Sequence, residues 1–320
     1  MSDQRSAFGH DVAHAFPIFV AAGEALTDMI RSGADCWRSQ PGGATWNVAR
    51  VMARLSVPSA FAGAVSDDLF GQALVAVSAS AGLDCRFLQT TDRAPLFAFV
   101  HQLQPPAYFF VGDDSADLHF DPALLPEGWL AAAQWLHFGG ISLAREPLAG
   151  RLIGLARQAR HAGARISYDP NFRTLMCSGY DDTLRTMTAL ADVIKVSDDD
   201  LLGLFRTDDL SAAFAALRSF NPGALYLLTC GAKGAALHRG ERAWHLTPPP
   251  LAVVDTVGAG DASMGGLIYS LLRHSRRRDQ DHLRYAVAAG SAACLAAGAS
   301  PPAAQLVERL YRACPPAHPA

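Results

Sequence analysis

Residues 255–261, D-T-V-G-A-G-D, constrain this chain most tightly, because they force a glycine bend directly into a helix. The run that follows, A-S-M-G-G-L-I-Y-S-L-L, ends at Leu272 and has helical length, so Asp261 falls in a first turn. Glycines placed ahead of a helix admit unusual dihedrals and close approach, and the exposed amides then form a receptor for phosphate-like anions. A carboxylate in the same cradle does not bind an anion. It reads as a base that takes a proton from a hydroxyl attacking the phosphate. The bland alternative for these seven residues is a glycine-rich turn capped by an aspartate.

Composition narrows the class. A chain of 320 residues, 50% hydrophobic and 18% charged, can bury a large core in one large domain. The net charge of -3 argues against a nucleic-acid surface. Lys195 and Lys233 are the only lysines, so the basic side chains are almost all arginines. Arginine grips phosphate bidentately but cannot serve as a shiftable amine base, which leaves proton abstraction to a carboxylate or a histidine. The six cysteines are scattered without a CxxC pair, the pattern of reduced cytosolic thiols. No basic-then-apolar leader and no apolar run of about 18 residues is found, so a cytoplasmic protein without membrane insertion is expected.

Along the chain, residues 1–16 read as a loose extension, and 17–22, P-I-F-V-A-A, as a strand opening onto Gly23, Glu24 and Asp28. An α/β protein presents ligand-facing groups at such strand ends. Residues 41–55 pass from a glycine loop into an amphipathic helix with Val48, Val51, Met52 and Leu55 on its apolar side. Gly42 and Gly43 there allow backbone amides to meet a ligand, and the Asn47 amide can both donate and accept. Residues 84–112 hold three short β-type stretches that interrupt the alternation of strands and helices, so they are expected, with the stretch after Asp28, in a small β lid. Alternation then resumes. Asp169, Asn171 and Arg173 follow one strand in R-I-S-Y-D-P-N-F-R, and Ser197 to Asp200 follow another, where the triple aspartate also reads as a solvated helix cap. L-Y-L-L-T-C-G-A-K-G at 225–234 is a further strand and turn, and the absence of G-x-x-x-x-G-K-[ST] excludes a P-loop. Arg276, Arg277 and Arg278 read as a solvated interhelical turn, residues 286–298 as a tightly packed helix, and the segment after Ala313 as an untied tail.

D-T-V-G-A-G-D, the Gly42-Gly43 pair with Asn47, and D-P-N-F-R together resemble the ribokinase-superfamily (PfkB-type) carbohydrate kinases, most of all bacterial fructokinases, over about residues 19–295. The resemblance implies a three-layer α/β/α domain over 17–312 with a mostly parallel sheet. It also implies a small β lid from about 28–40 and 84–112, and terminal extensions at 1–16 and 313–320. Gly258, Ala259 and Gly260 would form the anion hole and Asp261 would be the catalytic base. Asp28, Gly42, Gly43 and Asn47 would bind the sugar. Arg173, Ser197, Thr229, Gly231 and Thr256 would serve ATP and its phosphates, with Asp200 organising Mg2+ through water. A monovalent cation and a homodimer paired through the lid are further features that the family allows. Departures occur at Ser66, Ser263, Ser197 and Asp200, and at Tyr108, Phe109, Phe110 and Val111, where relatives carry a lid arginine. The expected reaction is ATP-dependent phosphorylation of fructose at O6. The alternatives are a 2-keto-3-deoxygluconate or ribose kinase, and a non-catalytic sugar- or nucleotide-binding regulatory protein.

Overall fold

A computed structural model describes residues 15–103 and 106–320. Most of the expected N-terminal extension and part of the loop at 104–106 therefore lie outside the described residues. The strands are β1 (Phe19–Ala22), β2 (Leu26–Arg31), β3 (Trp37–Gly42), β4 (Ser59–Ser66), β5 (Leu88–Thr91), β6 (Phe97–Leu103), β7 (Pro106–Val111), β8 (Trp135–Gly139), β9 (Arg165–Asp169), β10 (Val193–Ser197), β11 (Leu225–Thr229), β12 (Ala235–Arg239), β13 (Arg242–Leu246) and β14 (His318–Pro319). The helices are α1 (Ala44–Arg54), α2 (Leu69–Ser80), α3 (Trp129–Ala132), α4 (Leu148–His161), α5 (Asp181–Leu190), α6 (Asp198–Phe205), α7 (Leu210–Phe220), α8 (Ala259–Arg273), α9 (Asp279–Ala293) and α10 (Ala304–Ala313).

Ten strands form the main sheet in the order β14-β13-β12-β11-β10-β9-β8-β1-β4-β5. The seven from β11 to β5 run parallel, and β12 to β14 add an antiparallel edge. β1 and β4 are buried along their whole length, as strands covered on both faces must be. Their two-residue period divides the core. Val20 and Ala22 pack on the side of α4, α5 and α7, whereas Phe19 and Ala21 pack on the side of α1, α8 and α9. The chain builds outward from β1 through β4 to β5, then returns to build through β8 to β11 on the other side. That reversal opens a crevice at the carboxyl ends of the central strands, where open α/β sheets bind their ligands. The result is a three-layer α/β/α fold of ribokinase-like type.

A separate four-stranded sheet, β3-β2-β6-β7, forms the small lid. Its aromatic residues interlock: Trp37 meets Phe99 edge-on at 5.4 Å, and Phe99 stacks on Phe109 at 5.2 Å.

Two expectations are corrected. The stretch C-R-F-L-Q-T-T-D belongs to the main sheet and not to the lid, because β5 pairs in parallel with β4 from Gly63–Leu88 to Ser66–Thr91. Phe87 anchors it by packing edge-on against Trp129 at 5.3 Å, in the core. The tail after Ala313 is tied down. Cys314 and Ala317 are buried, the Arg284 guanidinium donates to the Tyr311 and Cys314 carbonyls, and β14 pairs with β13. Among the described residues no helix is long and apolar enough to cross a membrane.

Candidate active site

Gly258 starts the site. It adopts φ 79° as the N-cap of α8, and a Cβ there would lie 2.9 Å from Ala299 Cα, so both backbone conformation and space demand glycine. Ala259 N donates to the Thr256 carbonyl at 3.2 Å, whereas the Gly260 and Asp261 amides have no backbone partner among the described residues, as expected in a first helical turn. Asp255 ties the approach to the neighbouring loop by accepting from Val257 N at 3.1 Å and Gly298 N at 2.8 Å.

Asp261 is in the first turn of α8, and its Oδ2 accepts from Asn47 Nδ2 at 2.8 Å. Asn47 is positioned by α1, whose start at Gly43 adopts φ 122° against the Glu24 carbonyl. Arg50, one turn later, donates to Asn47 Oδ1 and to the Ala299 carbonyl, and lies over the Trp46 ring at 4.2 Å. Burial raises the Asp261 carboxyl above the usual carboxylate range, against the Asn47 hydrogen bond and the positive charges of Lys195, Arg173 and Arg50. Such a shift brings a carboxylate closer to the pH at which a general base works best.

Asp28 lies on β2 opposite Gln40 of β3, and Gly42 makes room for it, since a Cβ there would overlap its Oδ2. Burial raises Asp28 to about 6, with Arg173 opposing and the charge of Asp261 adding. The two carboxylates are therefore close enough to feel one another. Arg173 is held by the carbonyls of Asn171 and Phe172, and its guanidinium lies 5.1 Å from the centre of the Tyr108 ring. Arg173 thus stands beneath the small sheet and does not line the cavity that Thr229, Gly231 and Thr256 share. Arg93 stays at the surface, paired with Asp114 at 2.7 Å.

Thr229, Gly231, Thr256, Ala259 and Gly260 line one cavity of about 470 Å3 between the β11 turn, α8 and α9. Ser263 lines it too, next to Gly290. Ser197 and Asp200 lie outside that lining. They form a capping box at α6: Asp200 N donates to Ser197 Oγ at 3.0 Å, and Asp200 Oδ2 accepts from Ser197 N at 2.8 Å. Asp200 Oδ1 accepts from Phe172 N at 2.8 Å, so one carboxylate ties the α6 start to the Arg173 loop. The triple aspartate is a helix cap, as the bland alternative has it, but the capping carboxylate is buried and not solvated.

Lys195, which sequence reasoning passed over, stands at the candidate site. Its Nζ lies 2.9 Å from Asp169 Oδ2, both side chains being almost fully buried, and a Cβ on Gly260 would come within 3.1 Å of it. Burial opposes its charge, but Asp169 and Asp200 outweigh that cost and raise its pKa above the ordinary lysine value. A permanent ammonium therefore sits behind the glycine turn. The available signal was scarcity: one of only two lysines stands within a buried strand, three residues after Asp192 and just before the acidic turn.

For Mg2+, the described residues hold no ready-made group of three or more ligating side chains. Mg2+ commonly takes one or two carboxylates, with waters and substrate phosphates completing its shell. Asp200 is the carboxylate matched to that role, and both its oxygens already accept from Phe172 N and Ser197 N, so it would reach such an ion through water.

The sequence pattern of the pfkB family carbohydrate kinases matches residues 20–305. A fructokinase from Klebsiella pneumoniae is 33% identical over 258 residues, which cover 79% of this chain and 83% of that protein. The crystal structure of fructokinase with bound ATP from Xylella fastidiosa superposes with a TM-score of 0.83 at 27% identity, covering 93% of this chain and 99% of the other. Aminoimidazole riboside kinase from Salmonella enterica, complexed with aminoimidazole riboside and an ATP analog, gives 0.79 at 28% identity, over 92% and 99% of the two chains. With a ribokinase-like fold, a glycine-capped helix and a carboxylate in its first turn, the chain belongs to the pfkB family of carbohydrate kinases.

Proposed function

We propose that this carbohydrate kinase transfers the γ-phosphoryl group of ATP to O6 of fructose. The observation that carries the chemistry is Asp261, held by Asn47 at the glycine-capped start of α8. The fructose assignment draws its support from the fructokinases among the relatives.

Asp28 and the amides around Gly42 and Gly43 orient the sugar, and closure of the small sheet excludes water that would compete as acceptor. The sugar hydroxyl oxygen attacks the γ-phosphorus as the bond to the β–γ bridging oxygen breaks, and the hydroxyl proton passes to Asp261. Asn47 occupies Oδ2, leaving Oδ1 for that proton. The Gly260 and Asp261 amides and the Lys195 ammonium stabilise charge on the transferred group. Thr229, Gly231 and Thr256 hold the nucleotide, and Asp200 with Ser197 would hold Mg2+ through water, which would supply charge neutralisation on the phosphates.

Comparing kcat/KM for fructose, ribose, adenosine and 2-keto-3-deoxygluconate at saturating ATP and Mg2+, and locating the phosphate by product NMR, tests this reading. Fructose should be the best of the four, phosphorylated at O6. Phosphorylation at O1 would reject the sugar orientation. Arg173 favours a second reading, because its guanidinium lies over Tyr108 and near Asp28 and could hold a carboxylate despite the missing lid arginine. A preference for 2-keto-3-deoxygluconate that Arg173→Ala abolishes would establish that reading instead.

The Asp28 shift supplies a pH test. Above a pKa of about 6 the carboxylate accepts hydrogen bonds from sugar hydroxyls, and below it the protonated group loses acceptor capacity. The KM for fructose should therefore rise as pH falls through that value, approaching about tenfold per pH unit, while the KM for ATP changes little. Asp28→Asn should remove the dependence. A fructose KM that stays flat in the wild type between about pH 5 and 7 would separate Asp28 from the sugar.

A further inference from the structure

At the opposite end of the main sheet, the amino ends of β8 to β11 open into a cavity of about 510 Å3. That volume is in the range of small-molecule sites, roughly 300–1,000 Å3. Its walls carry four arginines, Arg160, Arg165, Arg239 and Arg277, against two carboxylates, Asp192 and Asp279. The cavity therefore holds two positive charges in excess.

Following each charge to its partner shows where the excess lies. Arg239 forks onto both oxygens of Asp279 at 2.9 Å. Arg160 donates to the Leu190 carbonyl and stands 3.6 Å from Asp192, whose other oxygen accepts from Ile166 N. Among the described residues Arg165 has no carboxylate partner, only the Trp135 ring at 5.6 Å. Arg277 is propped against the faces of Tyr285 and Tyr311 at 5.9 and 5.0 Å, and its Nη1 is buried without a hydrogen-bond partner. A guanidinium is best satisfied by a planar or tetrahedral oxyanion. α9 also begins at this cavity with Asp279, and among the described residues no side chain caps its first amides, although Asp279 and Asp281 both stand in its first turn. Its positive end points the same way.

We propose that this cavity is a binding site for a small phosphate-bearing dianion, gripped by Arg165 and Arg277. The charge of a phosphate dianion matches the excess, and the two guanidiniums without carboxylate partners supply the forked donors it requires. The site lies a full strand length, about 15 Å, from the carboxyl-end crevice, so its ligand does not compete with sugar or nucleotide for the reacting groups. Free phosphate and a phosphate monoester share this chemistry.

The test is calorimetric titration of the full-length protein with inorganic phosphate and, separately, with fructose 6-phosphate, both at saturating fructose and a non-hydrolysable ATP analogue. One equivalent should bind. Arg165→Ala and Arg277→Gln should each weaken it by about tenfold or more, the scale of a lost charge-assisted hydrogen bond. Fructose and ATP kinetics should stay at wild-type values in both variants, which separates this site from the reading of the active site. Arg165 is exposed, so its variant tests the site even if Arg277→Gln proves unstable in a melting curve. Tighter binding of the monoester identifies a sugar phosphate as the ligand class, and equal binding identifies the free anion. Absence of saturable binding by either, or binding unchanged in folded Arg165→Ala, would overturn the proposal.

Discussion

Asp261→Asn is expected to lower kcat by about 10²–10⁴-fold while leaving the affinities for sugar and ATP close to wild type, the scale for loss of a positioned general base. The side chain is isosteric and remains beside Asn47, so α1 and α8 keep their contact. The proton of the attacking hydroxyl then has no acceptor of suitable basicity. Steady-state phosphorylation measured alongside calorimetric binding of each ligand decides the matter. Turnover near wild type in a folded variant would remove Asp261 from the chemistry, and a wild-type protein that binds both ligands without turnover would favour the regulatory alternative.

The second large effect is on stability as well as rate. Lys195→Met leaves Asp169 and Asp200 buried without the ammonium that offsets their charge. Breaking a buried pair from one side costs about 3–5 kcal/mol, much of it the uncompensated charge that remains. Urea unfolding should show that loss, and kcat should fall because the charge behind Gly260 is gone. Lys195→Met combined with Asp169→Asn should regain part of the stability but not the rate, since removing both charges removes the orphaned one. If Lys195→Met unfolds at the wild-type urea concentration, the pair is not the support for the turn that its geometry implies.

Much of this protein follows from local chemistry. Residues 255–261 dictate a glycine bend and a helix start because Gly258 must adopt positive φ, and α8 begins there. Val48, Val51, Met52 and Leu55 occur at helical spacing, and all four are buried on one side of α1. The β1 run P-I-F-V-A-A contains a strand covered on both faces. In each case the deciding interactions lie within a few residues, so periodicity and glycine placement were enough.

What tertiary structure alone decided are pairings between distant segments. Leu88 to Thr91 has the composition of a lid strand, and only the free edge of β4 placed it in the main sheet. The tail after Ala313 has no periodicity of its own. It is ordered by Arg284 and the edge of β13, partners that no local pattern could announce. Arg173 follows the β9 strand as expected, but its stack on Tyr108 depends on how the small sheet folds over the crevice. Asn47 and Asp261 are separated by 214 positions, and Lys195 and Asp169 meet only because β9 and β10 are neighbours in the sheet. The residue types that could perform the chemistry were written in the sequence. Which carboxylate is buried, which is paired and how strongly each holds its proton were set by the fold, because desolvation and Coulombic interactions depend on distance in space and not on distance along the chain.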